Sequence, residues 1–198
     1  MPNWCENDLI ISADAKLAGS VKDLEKFQEL MKGNGKYEDN ETVFDFNNVL
    51  PYPKKFLDMD KAAHDFEKLR EAEIERRGYK GVNEMPKKER EEIFKKYPWD
   101  KVKDGYNSGG YDWCSSTWGT KWNACDAIVE RKGNKLKYTF NTAWAPPVPV
   151  IAKLGTMFPT LKFKLKYYEM GMGFQGVVDI QGDFVSEESS KYSGHRGG

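Results

Sequence analysis

The sequence predicts an α+β protein: a ferredoxin-like antiparallel sheet with two helices on one face, plus a helical insertion. Strand-like and helix-like segments succeed one another as β-α-β and then β-β-α-β-β. A charge-rich stretch with helical spacing separates these two halves. Proline or glycine stands at most of the boundaries. Two halves of this kind each lay one helix on the same side of the sheet, so the other side is expected to be free of helices.

The elements follow in order. Residues 7–12 hold the apolar run Leu9, Ile10 and Ile11, ended by "SADA", and read as a strand. Val21, Leu24, Phe27, Leu30 and Met31 recur at helical spacing. Ser20 with Asp23 approximates a capping box, and Gly33 supplies the stop. "TVFDFNNVL" reads as a strand until Pro51 and Pro53 break it. Over residues 60–78, Ala63, Phe66, Leu69 and Ile74 among charges give an amphipathic helix, and a second helix follows Pro86 and ends before Pro98. "CDAIVERKGNKLKYTFNTAW" reads as a hairpin turning at Gly133. "PPVPVIAKLGTMFP" is a short helix between prolines, and "LKFKLKYYEM" and "FQGVVDIQGDF" are the last strand pair. The expected organisation is one domain over residues 1–182 with its insertion at about 58–104. The polar tail 186–198 is expected to be disordered.

At 198 residues with 39% hydrophobic and 14% aromatic content, the chain has enough apolar matter for a proper core. No apolar run reaches the roughly 18 residues of a membrane span, and the N-terminus lacks a basic region before an apolar one. The expectation is a cytoplasmic protein. Cys5, Cys114 and Cys125 are odd in number and without close pairs, so neither a disulfide framework nor a metal site is expected, and no cofactor is implied. The zero net charge is unevenly spread: residues 60–104 hold 13 basic and 12 acidic side chains, a mixture typical of solvated helix faces.

The segments "MPNWCEN", "WGTKWNA", "TAWAPP", "FP" and "YYEMG" resemble those of a family of phage and plasmid proteins known as Api-ninety-two-like. The resemblance covers most of residues 1–182, apart from the insertion. It implies a ferredoxin-like domain of unknown function and a mobile-element origin, with no reaction to carry over. Ala145 departs from the pattern, where a serine is expected, so no hydroxyl role transfers to that position.

Catalytic machinery is poorly represented. The two histidines are His64, in a charged helix, and His195, in the tail, and a nucleophile would need one of them. "GMGFQGVV" matches glycine-loop patterns, but a β-branched run follows it where a phosphate-binding helix would have to open. Strand alternation in "LKFKLKYYEM" sets Lys162, Lys164, Lys166 and Tyr168 on one face, a basic face that Lys135 and Lys137 could extend. The bland reading is that these lysines keep an exposed face soluble.

Five of the six tryptophans lie within residues 99–144. In "WCSSTWGTKWN", Trp113, Trp118 and Trp122 alternate with Thr120, Lys121 and Asn123, and Trp144 follows the hairpin. Such a segment offers stacking faces, hydrogen bonds and one cation to a nucleotide or a single-stranded nucleic acid. Alternatively the rings close the open end of the core, with their N–H groups on backbone. Trp4 and Asn3 are expected to join the cluster in either case. The expectation is a non-enzymatic binding protein that sequesters a nucleotide-like or nucleic-acid ligand in counteracting host defence. An inhibitor that meets a host protein through the aromatic patch is a second reading, and a carboxylate-dependent enzyme a third. Oligomeric state is left open.

Overall fold

A computed structural model describes residues 3–33 and 42–194. The chain divides into two compact units, residues 1–51 with 112–198, and the continuous segment 52–111.

The first unit is built on strands β1 (Trp4–Ala13), β2 (Cys125–Lys132), β3 (Lys135–Ala143), β4 (Leu161–Glu169), β5 (Phe174–Gln181) and β6 (Phe184–Lys191). They form one antiparallel sheet in the order β2-β3-β1-β4-β5-β6. Helices α1 (Ser20–Met31) and α5 (Val148–Met157) pack on it as the two crossover connections. The first four strands with these two helices are the ferredoxin-like arrangement, and β5 and β6 extend it by two strands.

Period-two alternation selects the core face. Leu9 lies between Tyr138 and Leu165, and Ile11 between Leu136 and Phe163, all fully or almost fully buried. From α1, Leu24, Phe27 and Met31 close over them, with Phe27 set edge-on to Tyr138, Phe158 and Phe163. Val150, Ile151 and Leu154 of α5 are buried as well. Each such side chain contributes about 1.5–3 kcal/mol of burial. Gly133, at φ 59°, makes the hairpin turn between β2 and β3.

Several expectations are corrected. The capping box at α1 does not form, because Gly19 takes the cap position and the Ser20 hydroxyl instead donates to the Thr160 carbonyl at 2.9 Å. Residues 42–50 make no strand: the Asp45 carboxylate accepts from the backbone N–H of Asn47, and a 3-10 turn follows at Phe46–Asn48. The aromatic segment, for which no helix was expected, opens with helix α4 (Tyr111–Thr117). Residues 186–191, expected as disordered tail, are part of β6, where backbone pairing with β5 holds a strand whose side chains are all exposed. Residues 195–198, with His195, lie outside the described residues.

In the second unit, α2 (Lys54–Arg76) starts earlier than predicted, directly after Pro53, and α3 (Lys87–Lys96) follows Pro86. Ile74, Met85 and Ile93 make a small core with Tyr79, Val82 and Phe94 packed against it. Leu69, expected on the apolar stripe, is exposed; Arg70 is buried in its place, with its guanidinium 3.4 Å from the Trp99 ring centre. Arg77 bridges Glu73 of α2 and Glu92 of α3.

Candidate ligand-binding site

The motif segments meet at one end of the sheet. Trp4 opens β1 opposite Ala143, the last residue of β3. The next residue, Trp144, prolongs that pairing by donating its backbone N–H to the Asn3 carbonyl at 3.0 Å, in a left-handed conformation with φ 73°. A bulky side chain adopts that region only where its surroundings enforce it. The Thr120 hydroxyl donates to the Ala143 carbonyl at 2.8 Å and ties the segment after α4 to the same corner. Asn123 fixes that segment from its other side: its Oδ1 accepts from Phe46 N–H, and its Nδ2 donates to Asp45.

The sequence-predicted residues therefore divide. Trp118 is only 4% exposed, donates its indole N–H to the Leu50 carbonyl at 2.8 Å, and packs edge-on against Phe46. Thr120 is buried and Asn123 is engaged by backbone and Asp45, so both serve as scaffold. Trp113 is half-buried, its ring 5.3 Å from Trp118. Trp122 and Trp144 face outward, at 39% and 36% exposure, and Trp4 joins them at 38%. The Trp4 and Trp122 rings lie 6.2 Å apart at 57°, and Lys121 Nζ stands 4.9 Å over the Trp144 ring. The outcome is an open corner of three half-exposed rings and one ammonium group.

Beneath this corner is a polar layer without a sequence signal of its own. The Asn7 amide donates to the Cys5 carbonyl and to Thr142 Oγ1, both at 2.9 Å, and Thr142 donates to the Ala145 carbonyl. These bonds set the chain direction on either side of Trp144. Burial pushes the Cys5 thiol up to about 12, against the opposing effect of Thr142, so it is no nucleophile at neutral pH.

The basic face is more balanced than alternation implied. Lys162, Lys164, Lys166 and Tyr168 do share one face of β4, but β1 and β5 lay carboxylates among them. Lys164 pairs with Asp179 at 2.7 Å, and Lys137 with Asp8 at 3.2 Å. Tyr168 stacks on Tyr192 at 5.4 Å. Among the described residues, no group of His, Cys, Asp and Glu is placed to hold a metal ion, and no helix is long and apolar enough to cross a membrane.

No curated protein matches the sequence. A solved structure of a protein api92 from Yersinia pseudotuberculosis aligns with 98% of this chain and 99% of that one, at 14% identity and a TM-score of 0.44. Residues 117–192 match the model of a family described as a ferredoxin-like domain in Api92-like protein. The matched stretch runs from the end of α4 through β6, and there the chain is similar to the ferredoxin-like domain of Api92-like protein.

Proposed function

We propose that the chain is a non-enzymatic binding protein that takes a flat, anionic ligand of the nucleotide type on Trp4, Lys121, Trp122 and Trp144. The observation that carries this reading is the exposure of three rings at one strand end, one of them beneath an ammonium group. A core-closing cluster would bury those faces, as it does for Trp118. A base stacked on an open ring would gain about 1–3 kcal/mol, and Lys121, beside the Trp144 ring, would meet its phosphate. The paired lysines of the sheet face are left out, so the reading favours a free nucleotide, or one base of a single strand, over a long nucleic-acid track. Held this way a nucleotide is sequestered and not transformed, a use that would serve a mobile-element protein against host defence.

Titration with adenosine monophosphate and with a short oligothymidine, followed by tryptophan fluorescence, tests the reading. Saturable quenching is expected. The oligothymidine should show a shallow salt dependence, near the slope of about −0.7 that one neutralised phosphate gives on a single strand. Trp144→Ala should weaken binding about tenfold or more, in line with the loss of one stacked base. Absence of quenching by both ligands, with recovery of a host protein on the same rings, would replace this reading by the inhibitor one.

A further inference from the structure

A second recess lies on the helix-bearing face of the first unit, lined by none of the tryptophans. It is a cleft of about 380 Å³, walled by Pro146, Tyr167 and Phe174 and floored along β6 by Glu187, Ser189 and Lys191. Glu187, Ser189 and Lys191 alternate on β6 and therefore share a face; they pair with Val178, Gly176 and Phe174 of β5. Gly176 creates the arrangement, since a Cβ there would stand 2.4 Å from the Tyr167 hydroxyl oxygen. Without one, the buried Tyr167 reaches across β5 and donates to Glu187 Oε1 at 2.7 Å. This bond holds the carboxylate through one oxygen, and among the described residues no hydrogen bond engages the other. Phe174 stands edge-on to Tyr167, with ring centres 6.0 Å apart, and completes an aromatic wall beside the carboxylate.

We infer that this cleft binds a small elongated molecule of the basic amino-acid class, its cationic side chain on Glu187 and the aromatic wall, its carboxylate on Lys191. A carboxylate beside a partly open ring, here Phe174, is the setting that recognises an organic cation, and a guanidinium can stack on the ring while donating to the carboxylate. Lys191 would repel a ligand that carried only positive charge, which is why the occupant must carry an anionic end as well. Four residues along a strand separate the Glu187 and Lys191 Cα atoms by about 13 Å, too far for the two to satisfy each other. Neither has an ion-pair partner among the described residues. The Ser189 hydroxyl lies between them as a further hydrogen-bonding group.

Isothermal titration of the full chain with L-arginine, citrulline and agmatine tests this site separately from the nucleotide reading. Arginine should bind, citrulline should not, and agmatine, which lacks the carboxylate, should bind about tenfold more weakly, the loss of one charge-assisted contact. Both charged residues are exposed, so Glu187→Gln and Lys191→Gln should keep the native circular dichroism spectrum. Glu187→Gln should abolish arginine binding, and Lys191→Gln should reduce it to the agmatine level. No binding of arginine at millimolar concentration, or unchanged binding by Glu187→Gln, would overturn the inference.

Discussion

Two tryptophans four positions apart do different work. Trp118 is locked by its bond to Leu50, so Trp118→Ala should cost about 3–5 kcal/mol in a denaturant titration, the range for emptying a large aromatic site. Trp122→Ala should cost under about 1 kcal/mol, because a partly exposed ring leaves little cavity behind. Spacing named these rings as candidates but could not separate them. The separation depends on which indole N–H meets a distant carbonyl, and Leu50 is 68 residues away. Cys5 gives a pH signature. The thiol normally titrates near 9.0, and burial raises it to about 12 in the folded chain. The folded state keeps a proton that the unfolded state loses, so this stability is complete below pH 9 and declines as pH rises from 9 toward 12. Tyr138 and Tyr167, also raised by burial, add to the decline above pH 10. Denaturation midpoints between pH 9 and 10 should therefore flatten in Cys5→Ala relative to the parent chain.

At the scale of elements, β1 and β6 stand at opposite extremes. β1 is paired on both sides and buries Cys5, Asn7, Leu9 and Ile11; β6 pairs on one side and buries no side chain. Amide exchange should accordingly be slowest in β1 and fastest, among the strands, in β6. This contrast explains why β6 was illegible. Strand patterns are read from apolar alternation, and "SEESSK" has none, since its hold on the sheet is through backbone alone. The opposite error arose at "TVFDF", whose Val43 and Phe44 look strand-like although the Asp45 side chain diverts the backbone into a turn. Periodicity was sufficient for α1, α5 and the β2–β3 hairpin, although Ile128 of β2 and Met157 of α5 are exposed and take no part in the core. Between α2 and α3, ion pairs accompany the small core. Hydrogen bonding from Arg76, with support from Arg77, lowers Glu73 from 4.5 to about 2. Its contribution is present above pH 4.5 and lost as pH falls toward 2, so helical signal from this unit should diminish across that window. Glu73→Gln should remove the pH dependence.

For the molecule as a whole, the antiparallel sheet with two helices on one face and the ring-rich corner were legible in the sequence, although the strand expected at residues 42–50 is absent and the first half closes through β2 instead. The sequence did not supply the cleft, which needs Gly176, Tyr167 and Glu187 on three different strands. The central claim is that outward rings bind and inward rings support. The most direct measurement is a two-dimensional proton–nitrogen NMR spectrum of the six indole N–H groups, recorded with increasing adenosine monophosphate. The account predicts that the Trp4, Trp122 and Trp144 signals shift together and saturate, while Trp118, bonded to Leu50, stays in place. A spectrum in which none of the three moves at millimolar ligand would contradict it.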